Sequence, residues 1–254
     1  MRTAIVAGAS RGIGQATAQR LAHDFAMVVP VARSSDGVAA TAASIRAIGA
    51  KALPVEQDLR QPLAASRVVE ATLAATRRID AVVNVAGAVP QTDLFLMADE
   101  EWADGLSLKF HGARKLTLAA WPALKANRGT IVFLSGTTAV TPRASLGAVS
   151  AINAAIMALA KAFSERGASD GVQVNSLLPG PVMTERRRKM LSHCAASKGL
   201  DFNAAVSAFQ QETGITRYGE PADVAELIAF LVSPQSRWLT GTATRMDGGE
   251  TKSV

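Results

Sequence analysis

The sequence predicts an α/β protein: a doubly wound parallel sheet of seven strands with helices on both faces. Three observations lead there. Short β-branched runs alternate along the chain with longer stretches rich in Ala, Leu, Arg and Glu at helical spacing. A glycine-rich turn, Gly8-Ala9-Ser10-Arg11-Gly12-Ile13-Gly14, follows the first run and opens the first helical stretch. The chain has 254 residues with 48% apolar content, which suits one domain over 1–254 with a large core.

The strands are expected at Thr3–Ala7, Met27–Ala32, Lys51–Gln57, Asp80–Val85, Gly129–Leu134, Val172–Leu178 and Ala243–Met246. Strand–helix alternation requires crossover connections, and these are right-handed. One residue resists the pattern. Pro30 lies inside the second strand, where its missing N–H predicts a local irregularity in the ladder.

Composition narrows the function classes. A single cysteine, Cys194, leaves no internal disulfide and fits a reducing compartment. Residues 1–7 lead straight into the glycine turn without a leader pattern, and no unbroken apolar run approaches the roughly 20 residues of a membrane span. A cytoplasmic protein with no membrane partner is expected. The net charge of +6 favours anionic partners. Aromatics are only 5% and basic residues are scattered, so nucleic acid is not the expected partner. His193 and Cys194 lack the company a metal would need, so no metal is expected.

The glycine turn is a Rossmann-type dinucleotide cradle. Glycines allow close approach to a pyrophosphate, and the helix that follows offers unpaired N–H groups and its positive dipole end. The end of the second strand then selects the cofactor. An acidic residue there would hold a ribose 2′-hydroxyl. Ala32-Arg33-Ser34 stands there instead, and a guanidinium suits a 2′-phosphate, so NADP is expected. Arg11 adds a second positive charge inside the turn.

On these motifs the chain resembles a classical short-chain dehydrogenase/reductase over essentially its whole length. Gly8, Gly12 and Gly14 match the family's glycine turn, with Ser10, Arg11 and Ile13 between them and Arg33-Ser34 at the second strand end. Asp58-Leu59 matches the pair that contacts adenine. Asn84-Val85-Ala86-Gly87 is similar to the family's Asn-Asn-Ala-Gly motif, which implies cofactor contacts from Asn84, Ala86 and Gly87. Asn175 and Pro179-Gly180-Pro181-Val182-Met183-Thr184 match the strand and loop that hold the nicotinamide carboxamide, and the matching cofactor residues are Pro179, Gly180, Val182 and Thr184. Arg217 to Pro221 and Asp247-Gly248-Gly249 match C-terminal landmarks. The resemblance also implies a homotetramer or homodimer, and a substrate lid over about 185–213.

The catalytic half departs from that pattern. The family uses an Asn, a Ser and a Tyr-x-x-x-Lys. Here the matching helix reads Val149-Ser150-Ala151-Ile152-Asn153, which puts Val149 at the tyrosine and Asn153 at the lysine. The only tyrosine in the chain is Tyr218. Lys161, eight residues past Asn153, lies roughly 12 Å further along the helix and cannot substitute. Ser135-Gly136-Thr137-Thr138 puts Gly136 at the serine, with hydroxyls on either side. Lys109 stands where the family has its asparagine. Lysine and asparagine are therefore exchanged between two helices, and Lys109, Ser135 and Asn153 are the candidate catalytic residues. Asn153 also has ribose hydroxyls within its expected reach. His111, two residues past Lys109, projects to another side of its helix.

Two functions follow from this. One is an atypical NADP-dependent oxidoreductase acting on a carbonyl/alcohol pair, with a small-molecule substrate. The other is an NADP-binding pseudoenzyme, a sensor or a non-catalytic partner subunit. The run Arg186-Arg187-Arg188-Lys189 is either a solvated helix face or a clamp for an anionic substrate.

Overall fold

A computed structural model describes residues 2–87 and 89–252. The strands are β1 (Thr3–Ala7), β2 (Met27–Ala32), β3 (Lys51–Ala52), β4 (Val55–Glu56), β5 (Ala81–Asn84), β6 (Thr130–Leu134), β7 (Gln173–Pro179) and β8 (Ala243–Met246). They form one parallel sheet in the order β3-β2-β1-β5-β6-β7-β8, with β4 also pairing β2. β3 and β4 are two pieces of one edge position, so the sheet has the seven positions expected.

The break between them has a cause in Pro30. Leu53 N–H donates to the Val28 carbonyl and Gln57 N–H to the Ala32 carbonyl. Even-numbered residues of β2 therefore face this edge, and Pro30 is the one that would donate at the gap. Pro30 itself stays in register with Val6 of β1. The irregularity falls on the neighbour, at Leu53-Pro54.

Alternate strand residues feed two apolar layers, as a sheet covered on both faces requires. Ile5, Val29, Val82, Ile131, Phe133 and Val174 point to one side. There they meet α3 (Ala64–Thr76), α5 (Ala113–Asn127) and α6 (Gly147–Asp170). Ala4, Val6, Val28, Val83, Val132 and Leu177 point to the other, against α1 (Gly12–Leu21), α2 (Ser35–Ile48) and α9 (Pro221–Leu231). α6 has the length and apolar composition of a membrane span, but its buried Ile152, Ile156 and Ala160 lie in the protein interior.

The remaining helices stand over the carboxyl ends of the strands. α4 (Asp99–Gly105) runs into a π-helical segment, Leu106–Gly112, before α5. α7 (Glu185–Ser197) and α8 (Phe202–Thr213) occupy the segment expected to be the substrate lid. Leu191, Phe202 and Phe209 of these helices form a small cluster with Met183 and Tyr218, which flank them in the chain.

Gly14 ties α1 to the end of β1. A Cβ there would overlap the Gly8 carbonyl oxygen, a backbone atom with no freedom to retreat. Gly14→Ala is expected to cost about 1–3 kcal/mol through overpacking. Thermal unfolding followed by circular dichroism should show a Tm about 2–12 °C lower. An unchanged Tm would mean that the turn relaxes freely.

Candidate active site

The functional groups gather where the strands end, as open parallel sheets require. Loops after β1, β2, β5, β6 and β7 line one continuous cleft in two halves. The first half, about 460 Å³, is walled by Gly8, Ser10, Arg11, Gly12, Ile13 and Gly14 of the turn. Arg33, Asp58, Leu59, Ala86 and Gly87 complete it. The second half, about 690 Å³, runs between the β6 and β7 loops and the lid. Pro179, Gly180, Val182 and Thr184 line it, together with Ser135 and Asn153. Lys109, Ile13, Thr184 and Arg186 touch both halves.

Several expected cofactor contacts are therefore brought to one wall, and two are not. Ser34 is outside it, and its hydroxyl accepts the Gly37 N–H at 3.2 Å to cap α2. Asn84 is buried within β5, and its amide donates to Thr117 Oγ1 at 3.2 Å. Strand alternation turns Asn84 into the α5 side of the core, away from the cleft. Arg11 lines the cleft, but its guanidinium lies 3.7 Å from Glu185 at the start of α7. As placed, its charge spans from the glycine turn to the lid.

The cradle fits a dinucleotide on its own geometry. α1 begins at Gly12 with no side-chain cap, so the N–H groups of its first turn are free at the cleft. Arg33 is exposed on the same wall and forms no ion pair within 4 Å among the described residues. Asp58 accepts from Arg60 at 3.2 Å, and Arg60 also reaches Asp104 at 2.5 Å. That network holds the loop carrying Asp58 and Leu59 to α4.

At the junction of the two halves sits a polar cluster built from three elements. The π-helical segment carries Lys109, whose Nζ donates to Asn153 Oδ1 on α6 and to the Ser135 carbonyl at 3.2 Å. Asn153 Nδ2 donates to Thr138 Oγ1 at 2.8 Å. Ser135 Oγ donates to the Asn153 carbonyl at 2.8 Å. The serine proton is thus committed to α6, which makes Ser135 a positioning residue as it stands. Gly136 leaves the room this needs, because a Cβ there would come 2.7 Å from Asn153 Nδ2.

Burial pushes the Lys109 ammonium down to about 8, and the nearby Arg186 charge acts in the same direction. Val149 lines the second half of the cleft but offers no proton. Tyr218 is buried with a phenol pushed above its usual range by burial, and it lies in the cluster beneath the lid. His111 is exposed and packs edge-on against Phe110. Among the described residues, no group of three or more His, Cys, Asp or Glu side chains converges as a metal site would need.

Sequence reasoning passed over Thr138, Arg143 and Glu250. Thr138 completes the hydrogen bonds of Asn153, and the other two line the second half of the cleft. Thr138 had a weak signal in its place two residues past Gly136. Arg143 and Glu250 had none, since single charges in loops look like solvated surface.

The family described as enoyl-(acyl carrier protein) reductase, adh_short_C2, matches residues 8–251. The chain belongs to this family of short-chain dehydrogenases/reductases. It is 31% identical to the short-chain reductase protein NovJ of Streptomyces niveus, over 97% of this chain and 92% of that one. It is 32% identical to a 3-oxoacyl-(acyl-carrier-protein) reductase of Synechocystis, over 98% and 96%. L-sorbose reductase from Gluconobacter frateurii, solved with NADPH and L-sorbose, superposes with a TM-score of 0.94 at 28% identity, covering 99% of this chain and 97% of that one.

The Lys109–Asn153 contact makes a prediction of its own. Removing the amide acceptor should disfavour the charged lysine further. In Asn153→Ala the Lys109 titration, followed by NMR of isotopically labelled lysine, is expected to have its midpoint below about 8. An unmoved midpoint would show that the pair does not form in solution.

Proposed function

We propose that the protein is an NADP-dependent oxidoreductase that reduces a carbonyl compound to an alcohol without a catalytic tyrosine. Its proton would come from the Lys109 ammonium. The observation that carries this is the junction itself. The polar cluster where the cofactor half of the cleft meets the open half contains an ammonium whose pKa burial depresses, held by Asn153 and the Ser135 carbonyl. The NADPH complex of the sorbose reductase supports the choice of cofactor, and so does Arg33, whose planar guanidinium suits a 2′-phosphate.

The residues divide the work. The glycine turn and the first turn of α1 hold the pyrophosphate through backbone N–H groups. Pro179, Gly180, Val182 and Thr184 hold the carboxamide end. When bound, the nicotinamide supplies the hydride. Two protons of Lys109 Nζ are engaged by Asn153 and Ser135, and the third is free for the substrate oxygen. Asn153 fixes the direction of that proton and is itself fixed by Thr138. An acid with a pKa near the working pH transfers its proton efficiently, and a positioned group of this kind contributes about 10²–10⁴-fold.

Three outcomes test the reading. Nicotinamide fluorescence should show NADPH binding more tightly than NADH, and Arg33→Ala should reduce that preference by about ten-fold or more. Lys109→Met should lower kcat for carbonyl reduction by about 10²–10⁴-fold while NADPH still binds. In the wild type, reduction should fall as pH rises through about 8, because the acid loses its proton there. Alcohol oxidation should rise over the same range. Binding of NADPH with no carbonyl consumed would instead mark a cofactor-binding regulator.

A further inference from the structure

The basic run of α7 divides on folding. Lys189 pairs with Glu185 at 2.8 Å on the helix surface, and Arg188 is exposed. Arg187 turns into the second half of the cleft, where it is half-buried beside Met190, Phe209 and Glu250. Its backbone N–H is fixed by the Thr184 hydroxyl, the cap of the helix. Its guanidinium carbon lies 5.0 Å from the Phe209 ring centre and 5.6 Å from that of Tyr218. Those two rings are stacked at 5.3 Å. The side chain is therefore held over an aromatic platform, with Nη1 donating to Met190 Sδ at 3.7 Å and the remaining N–H groups left for a partner.

That partner is not supplied by the described residues. Neither Arg187 nor Arg143, on the same wall, has a carboxylate within 4.0 Å. The side chains lining this half include Lys109, Arg143, Arg186 and Arg187, against one acid, Glu250. Arg186 is committed to the Val89 carbonyl, and Lys109 to Asn153 and Ser135. Glu250 faces the Thr137 hydroxyl, and burial pushes its carboxyl pKa up although the Arg143 and Arg187 charges oppose the shift. Glu250 acts on both Arg187 and Arg143 from beyond 4.0 Å, so one carboxylate is shared by two guanidiniums, and an incoming anion offsets the remaining cost of burying Arg187.

We propose that the substrate carries an oxyanion, a carboxylate or phosphate, that docks on Arg187 and Arg143 while its carbonyl lies at Lys109. The inference deepens the reductase reading and rests on it for the carbonyl end. The docking site itself rests on the Arg187 platform. Both sets of residues line one half of the cleft, so a single molecule bearing both groups can reach them together. The planar fork of Arg187 favours bidentate contact with such a group.

The test uses a homologous series of keto acids and their methyl esters, with the full chain saturated with NADPH. Calorimetry gives the dissociation constant of each, and loss of absorbance at about 340 nm reports turnover by the cofactor. The wild type is expected to prefer the acid to its ester. Arg187→Met keeps a stem that packs on Phe209, and it should cut that preference by about ten- to one hundred-fold, the range for charged hydrogen bonds. Arg143→Gln, on a different loop, should cut it as well. NADPH affinity is the folding control for both variants. Competition by inorganic phosphate would assign the site to oxyanions generally, and no competition would assign it to carboxylates. Equal binding of acid and ester by the wild type would overturn the proposal. So would an Arg187→Met variant that weakens both alike. Acid binding without NADPH oxidation would keep the anion site and remove the reductase reading. Oxidation with no preference for the acid would do the reverse.

Discussion

A buried ammonium needs acceptors, and that requirement organises this site. Lys109 finds them in the Asn153 amide and the Ser135 carbonyl, which belong to α6 and to the end of β6. The contact joins the π-helical segment to α6 across the mouth of the sheet. A π-turn widens the helix locally, a distortion that recurs at functional sites. Thr138 and Gly136 serve the same contact, one by holding the Asn153 amide and the other by leaving it space. If Asn153 were lost, the charge would lose one of its two acceptors in a desolvated place. If Lys109 were lost, the Asn153 side chain would keep only its bond to Thr138.

The sheet explains why these groups meet at all. Parallel strands expose their carboxyl ends on one side, and each following loop delivers one part of the cleft there. β1 brings the glycine turn, β2 brings Arg33, β6 brings Ser135 to Thr138, and β7 brings Pro179 to Thr184. The two apolar layers hold the strands in a fixed register, so small shifts at the cleft are resisted by the whole core. The lid is built differently. Its small cluster of Met183, Leu191 and Tyr218 packs beside the cleft and leaves Arg187 at the boundary.

Much of this was legible in the sequence, for physical reasons. Strand runs and helical spacing repeat with different periods, so the order of the elements and the glycine turn could be read directly. Pro30 flagged an irregularity because a missing donor must show somewhere in a ladder, although the break fell on its neighbour. Lys109 and Asn153 stood out by position, and the fold puts the two side chains in contact. Side-chain direction was less legible. Asn84 and Ser34 lie next to cleft residues in the chain, yet alternation and capping turn them elsewhere. Arg187 looked equivalent to Arg188 and Lys189, because only the tertiary fold decides which member of a charged run meets an aromatic platform. Glu250 and Arg143 became site residues solely through loop placement.

In the proposed reaction, Lys109 and Asn153 serve carbonyl reduction without a catalytic tyrosine. Single-turnover incubation with 4-deuterated NADPH and a panel of ketones tests it most directly, because mass spectrometry detects even slow transfer. Deuterium is expected on the carbinol carbon of at least one alcohol product, and none with the Lys109→Met protein over the same time. Deuterium transfer that is undiminished in Lys109→Met would contradict it. So would tight NADPH binding with no label in any product.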